Sequence, residues 1–506
     1  MPDQKKRDLS LGILSFSLAA LFLLICSKSS PLYPTNDWVD VNCFFTVGKA
    51  IWEGVVPYRD LYEQKGPVLY FLFAISALVS DRSFFGVYLL EVVTFGLFLY
   101  FSGKLAQLYL GQSKTVWAIL AVLALILVIS PAFAHGGGVE EISLFTLAYG
   151  LYSVTAAMHD KRLLTFREAF LNGAFAAMVL YMKFTTLGFY IGLALFVIFW
   201  YLTAGLQWKA LLATIGQFLL GVAAVSLPVW GYFLLNGAAD DFFTVYFYNN
   251  LFLYPIETEG TKLELIINCL ESTLRYNTSY GWAVCLGLLL LISQIRRHWR
   301  DLVMALMCFI GLAVGTYWGG RGYTYYGLIL GPFAVYGLVA TVRLLQLEGL
   351  TSWLNRIICE SVLIPRLAFV VLTAWLLTAG WSESKNTYLM TYEKEELPAY
   401  QFAETINQVE DAKILNYGFL DGGFYHAADV TPNCRYFCTL NINTPDMWST
   451  QRECIENGDV DFVITRRYPL HRYSPDSSAY SLVDETTFYF EGVEFTYYLY
   501  QRNPDA

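Results

Sequence analysis

The chain has 506 residues, of which 56% are hydrophobic, 17% aromatic and only 15% charged, and its mean hydropathy is +0.45. That composition lies far on the apolar side of a soluble globular protein and excludes that class. The formal net charge is −9, with acid gathered after residue 381, which excludes a nucleic-acid partner and a polybasic membrane-surface patch there.

The apolar runs are continuous, roughly 17 to 25 residues long, and do not alternate, so they predict membrane-crossing helices and not a closed β-barrel. The first, MPDQKKRDLSLGILSFSLAALFLLIC, has a charged start and an apolar core but no small-x-small cleavage site, and reads as an uncleaved span over 9–27. Further spans are expected near 84–109, 115–134, 141–158, 168–184, 185–204, 210–235, 278–295, 301–318, 324–344 and 362–380, about eleven crossings in all. The segment PVLYFLFAISALVS, 67–80, is only about 14 residues long, in the range of an interfacial or re-entrant helix, and if it crosses, every later loop changes side.

Short loops rich in Lys and Arg mark the cytoplasmic side. With 67–80 at the interface, KKR at 5–7, the loop 159–168, WK at 208–209, RRHWR at 296–300 and the Arg343 to Arg356 linker all fall there. The N-terminus is then cytoplasmic, and the outer face receives loop 28–83, HGGGVEE at 135–141, the acidic loop 236–250, GGRGYTYY at 319–326 and the tail. Residues 1–384 form the membrane module and 385–506 a small extracytoplasmic α/β domain of roughly 120 residues. In that domain a helix follows the proline of TYEKEELPAYQFAETINQVEDA, and AKILNYG, CRYFCTL, DFVITRR and VEFTYYLYQR read as strands. GFLDGGFY lacks the spacing of a nucleotide-binding turn. Among nine cysteines, Cys26 and Cys285 fall in apolar spans and read as packing, while Cys434, Cys438 and Cys454 admit one disulfide in an extracytoplasmic tail. Five histidines and no Cys-x-x-Cys pair argue against a zinc site.

Ionisable side chains near membrane depth are costly, which makes them functional candidates. The outer face collects Asp37, Asp40, Lys49, Arg59, Asp60, Glu63 and Lys65, then His135, Glu140 and Glu141, then Lys183, then Arg321 with Tyr323, Tyr325 and Tyr326. Several have a plainer reading. Asp37 beside Asn36 suits a turn, Asp40 an N-cap, and Glu140 and Glu141 the first turn of a helix. Lys183 can snorkel, and GGRGYTYYG suits an interfacial aromatic belt with Arg321 on headgroups. Together, carboxylates and cations against aromatic walls suit a phosphate-bearing lipid and a hydroxyl to be activated: a cation holds the phosphate and a carboxylate takes the proton.

The stretch DVNCFFTVGKAIWEGVVPYRDLYEQKGPVLYF resembles the first outer loop of bacterial GT-C superfamily glycosyltransferases, the group related to protein O-mannosyltransferases and aminoarabinose transferases. Their aspartate, glycine, Pro-Tyr-x-Asp turn and Lys-Gly-Pro read here as Asp40, Gly48, Pro57-Tyr58-Arg59-Asp60 and Lys65-Gly66-Pro67. HGGGVEEISLF is similar to the second-loop acidic motif, YMKFTTLGFY to the lysine-containing span, and GGRGYTYYGLILGPF to the later loop, where Tyr325 stands in place of a common histidine. A single aspartate stands in place of the Asp-Glu pair of the protein mannosyltransferases, which turns the reading away from protein as the specific acceptor.

The resemblance implies a GT-C-like polytopic enzyme of a bacterial plasma membrane, with inverting transfer of a sugar from a polyprenyl-phosphate donor to a glycan, lipid or protein acceptor on the outer leaflet. Asp40 is the expected base. Glu140 or Glu141 joins the catalytic set by orienting the acceptor or helping to bind a divalent cation, for which Asp40 and Glu140 are the candidate ligands. Lys65, Lys183 and Arg321 are the expected phosphate cations, and Tyr58, Arg59, Asp60, Tyr325 and Tyr326 complete the expected substrate-binding set. The competing readings are a transporter or flippase for lipid-linked sugars, against which no internal repeat stands out, and a non-catalytic polysaccharide assembly protein.

Overall fold

The computed structural model describes residues 2–111, 115–205, 208–255, 261–347, 363–442, 444–474, 477–490 and 492–504. Most of the chain is helical. In chain order the helices are α1 (Pro2–Cys26), α2 (Val39–Ala50), α3 (Pro67–Val79), α4 (Phe85–Leu110), α5 (Thr115–Val128), α6 (Val139–His159), α7 (Phe166–Lys183), α8 (Leu187–Thr203) and α9 (Trp208–Leu235). The short α10 (Ala239–Phe242) and α11 (Asn250–Phe252) flank a π turn, Phe243–Asn249. There follow α12 (Lys262–Tyr276), α13 (Thr278–Ser293), α14 (Ile295–Tyr317), α15 (Gly331–Leu347), α16 (Leu363–Glu383), α17 (Pro398–Ile406), α18 (Phe424–Ala428) and α19 (Met447–Glu456).

The chain divides into two compact units, one of residues 1–30, 88–227 and 256–387, the other of 31–87, 228–255 and 388–506. Among the described residues six helical runs are long and apolar enough to cross a membrane, or seven with the pair α12 and α13, which is bent by 117°. The protein is a multi-pass membrane protein. The expected spans fall on helix over most of their described length, but six or seven runs, against about eleven expected crossings, are long and apolar enough. α5 stops at Val128, short of the expected 134, and α12 occupies a stretch to which the sequence reading assigned no element. The Arg343 to Arg356 linker lies in part outside the described residues.

In the first unit, α8 and α14 pack through two interlocked small-residue stripes. Gly188 and Gly192 of α8 leave no room for a Cβ against the backbone at Gly311, Met307 and Cys308, and Gly311 and Gly315 of α14 leave none against Gly188 and Thr185. Such Gly-x-x-x-Gly contact replaces the hydrophobic drive that lipid removes. Capping boxes start α7 at Thr165 and Glu168 and α12 at Thr261 and Glu264, satisfying the first N–H groups of each helix.

In the second unit, Pro67 occupies the first turn of α3, where its missing N–H costs nothing. With 13 residues, α3 is shorter than a span. The tail holds a mixed sheet, β1 (Ile414–Tyr417), β2 (Phe462–Arg466), β3 (Tyr480–Phe490) and β4 (Val493–Arg502), in the order β1-β2-β4-β3. β1 and β2 are parallel and the other pairs antiparallel. Three of the expected strands and the helix after the proline, α17, are present, but CRYFCTL is not a strand. Its backbone is bonded elsewhere: the Arg435 carbonyl accepts from the Tyr62 amide at 2.7 Å and the Phe437 carbonyl from the Tyr425 hydroxyl at 2.6 Å. The fourth strand is β3, an edge strand whose polar face hid it in the sequence.

Candidate active site

The expected site residues fall into two groups, one in each unit. In the second unit Asp40 stands in the first turn of α2. The N-cap position belongs to Trp38, which makes no side-chain cap bond, so Asp40 is not spent as a cap. Its Oδ2 lies 3.7 Å from the Lys65 Nζ, and both side chains are largely buried, at 16% and 10% exposure. The ammonium also faces the Phe44 ring, 5.6 Å from its centroid.

Lys65 is fixed through its backbone. Its N–H donates to the Glu63 carboxylate at 2.8 Å, and its carbonyl accepts from Tyr58 Oη at 2.7 Å and lies 3.0 Å from Tyr70 Oη. Tyr70 also hydrogen-bonds Glu63. Burial pushes the Glu63 carboxyl up, while the Lys65 ammonium pulls the other way. Tyr58 is buried and adopts φ 72°, left-handed for a residue with a Cβ, a strain of order 1–3 kcal/mol that persists only where surrounding bonds enforce it. They do: the Tyr58 amide donates to the Leu61 carbonyl at 2.8 Å, and the Val56 amide to Asp60 Oδ2 at 2.8 Å. Arg59 grips Asp60 with two bonds of 2.8 Å and the Asn236 carbonyl with a third, also 2.8 Å. The guanidinium holds the Asp60 carboxyl below its usual range. Thus the Pro-Tyr-x-Asp turn shapes the loop and aims Lys65, with Tyr58 acting through its hydroxyl on the lysine carbonyl.

The acidic loop also braces this stretch. Asn249 donates to Tyr62 Oη at 2.9 Å and Asn250 to the Gln64 carbonyl at 2.8 Å, both from the π turn and its end. Sequence reasoning read that segment as a loop and missed Asn249, Asn250 and Tyr70 as supports. Gly48 is required by packing, because a Cβ there would meet Ala74 N and Phe73 Cβ at 2.8 Å each, where α2 crosses α3.

In the first unit, Glu140 in the first turn of α6 forms a buried ion pair with Lys183. Lys183 sits at a break where α7 gives way to a 3-10 turn, Phe184–Thr186, with extended backbone at φ −154° and ψ 94°. Its Nζ lies 3.2 Å from the Tyr326 ring centroid and 5.8 Å from that of Tyr325. Arg321 donates to Tyr323 Oη at 3.1 Å, and the Tyr323 and Tyr325 rings stack at 5.5 Å. Glu140, Lys183, Tyr325 and Tyr326 therefore do converge.

Glu141, one residue on, points elsewhere. Its carboxylate and that of Glu91 share the Gly137 N–H, at 3.0 and 2.7 Å, and Glu91 accepts from Ser27 Oγ at 2.8 Å. Gly136 and Gly137, both at positive φ, bring that amide to the carboxylates. Glu91 was hidden inside an apolar span; its signal was a lone acid there.

As metal ligands, Asp40 and Glu140 each have an ammonium as their closest charged partner. Among the described residues neither belongs to a group of three ligand-type side chains close enough to hold an ion; the group that meets that condition is His159, His298 and Asp301.

No protein-family model matches the chain, and no curated protein matches it by sequence. Solved structures do match. ArnT from Cupriavidus metallidurans bound to undecaprenyl phosphate aligns with a TM-score of 0.61 at 12% identity, covering 95% of this chain and 97% of that one. The same protein in the apo state gives 0.57 at the same identity and coverage. Archaeal oligosaccharyltransferase AglB from Archaeoglobus fulgidus, in complex with an inhibitory peptide and a dolichol-phosphate, gives 0.50 at 12% identity, covering 97% of this chain and 74% of that one.

Proposed function

The chain has the GT-C membrane fold, and on it we propose a glycosyltransferase that moves a sugar from a polyprenyl-phosphate donor to an acceptor hydroxyl on the outer leaflet of a bacterial plasma membrane. The observation that carries this reading is the Asp40 and Lys65 pair, a carboxylate 3.7 Å from an ammonium on a loop held by Glu63, Tyr58 and Tyr70. The polyprenyl phosphates named with the structural neighbours support a lipid carrier of the same class here.

In this mechanism the acceptor oxygen attacks the anomeric carbon from the face opposite the phosphate, inverting it. Asp40 takes the hydroxyl proton as the new C–O bond forms. The bond from the anomeric carbon to the phosphate oxygen breaks, and the electron pair leaves with the polyprenyl phosphate. Lys65, beside Asp40 in the second unit, offsets that developing charge, and Lys183 and Arg321, in the first unit, are the further phosphate cations that the family resemblance assigns. Tyr325 and Tyr326 wall the Lys183 ammonium, and Glu140 holds it in place. No step is assigned to a metal ion.

The test is transfer by membranes carrying wild type or Asp40→Asn, supplied with a panel of labelled polyprenyl-phosphate sugars. Release of polyprenyl phosphate with label passing to an acceptor, dependent on Asp40, is the expected result. Transfer by Asp40→Asn at the wild-type rate removes the base assignment, and no transfer from any donor by folded wild-type protein removes the reaction.

A further inference from the structure

Of the nine cysteines, Cys43, Cys434, Cys438 and Cys454 belong to the second unit. Cys434 and Cys454 are joined as a disulfide, a bond that persists in an oxidising compartment. The other two also meet. Cys43 Sγ on α2 lies 3.8 Å from Cys438 Sγ, across a sequence separation of 395. Both are buried, at 1% and 0% exposure. We propose that Cys43 and Cys438 form a second disulfide, tying the helix that carries Asp40 to the C-terminal part of the same unit.

The surroundings already hold these two segments together. Thr46 Oγ1, on the turn after Cys43, donates to Asp421 Oδ2 at 2.7 Å, and α18 packs on α2 at Gly423, where a Cβ would lie 3.1 Å from Asn42 Oδ1. Reaching a bonded separation of about 2.05 Å needs the sulfurs to close by about 1.8 Å. Asp40 and Cys43 are three residues apart on α2 and so share one side of the helix. A covalent tie at Cys43 fixes the rotation and position of the carboxylate.

Bond formation takes one hydrogen from each thiol, two electrons and two protons in all. The electrons pass to the disulfide of a thiol oxidoreductase, which is reduced to its dithiol, the class of oxidant that Cys434 and Cys454 also require. Burial pushes both thiols up, so neither is a reactive thiolate inside the folded unit, and the exchange belongs to folding, before α2 is covered.

Peptide mapping of the full-length protein, purified in detergent without reductant and denatured in iodoacetamide, tests this directly. The expected product is a single species linking the Cys43 and Cys438 peptides, which separates into two alkylatable peptides on reduction. Alkylation of both while Cys434 and Cys454 remain linked would show a thiol contact only and overturn the proposal, as would linkage of Cys438 to Cys434 or Cys454. A second readout is thermal: a phosphine reductant should lower the unfolding midpoint of wild type further than that of the double variant Cys43→Ala, Cys438→Ala. Equal shifts overturn the tie.

Discussion

The Lys65 ammonium stands 3.7 Å from the Asp40 carboxylate while its own backbone is gripped at both ends, by Glu63 on the N–H and Tyr58 on the carbonyl. The charge is thus placed by the loop and not by a flexible stem alone. Lys65→Met should lower kcat for sugar transfer about 100-fold or more, the usual cost of removing a group that stabilises charge in the transition state. Lys65→Arg keeps the charge but not the compact geometry and should recover only part of it. Steady-state kinetics decides: a change confined to KM would make Lys65 a ground-state binder.

The Glu140 and Lys183 pair is buried, at 3% and 10% exposure, so each partner alone becomes an uncompensated charge. Lys183→Met should destabilise by about 3–5 kcal/mol, and so should Glu140→Gln to a lesser extent. The double variant should recover most of the stability and none of the transfer. Thermal unfolding beside activity separates the two roles, and an active double variant would leave the pair purely structural.

Gly48→Ala puts a methyl group 2.8 Å from Ala74 N and Phe73 Cβ, both part of the α3 backbone and its root. Backbone yields less easily than a side-chain tip, so overpacking of about 1–3 kcal/mol is expected. Because α2 carries Asp40, the displacement should also cut kcat about tenfold. Gly54, which has open space around it but φ 87°, is the control for backbone conformation without a close approach. A Gly48→Ala enzyme with wild-type kcat would show that the crossing of α2 and α3 does not set the carboxylate.

Much of this was legible in the chain, and for local reasons. The apolar runs, the Asp40 helix, the Pro-Tyr-x-Asp turn and the proline start of α3 depend on neighbours within a few residues. Glu140 and Glu141 could not be separated by sequence, since adjacent helical residues face about 100° apart and only the fold shows that one meets Lys183 and the other Glu91. The bracing of Tyr62 by Asn249 and the meeting of Cys43 with Cys438 join residues 187 and 395 positions apart. CRYFCTL has strand composition, yet its carbonyls serve Tyr62 and Tyr425, and tertiary bonding overrode propensity.

Two buried titrating groups near α2 act in opposite directions on stability. Asp421 accepts from Thr46, Gly423 and Asn416, yet burial raises its carboxyl from 3.8 to about 6. His426 lies against Phe45 and Phe84, and burial lowers its imidazole from 6.5 to about 4. As pH falls through 6, the folded state protonates Asp421 before the unfolded state does, so stability rises. As pH falls below 6.5, the unfolded state protonates His426 first, so stability declines until about pH 4. Each shift corresponds to about 3 kcal/mol, and over the shared window the two should largely cancel. Asp421→Asn should therefore expose the histidine: its thermal midpoint, relative to wild type, should drop as pH is lowered from 6.5 toward 4. His426→Gln should do the reverse and gain stability over the same interval. Unfolding of the full-length protein in detergent across that range checks both, and two variants that simply parallel wild type would remove the opposed pair.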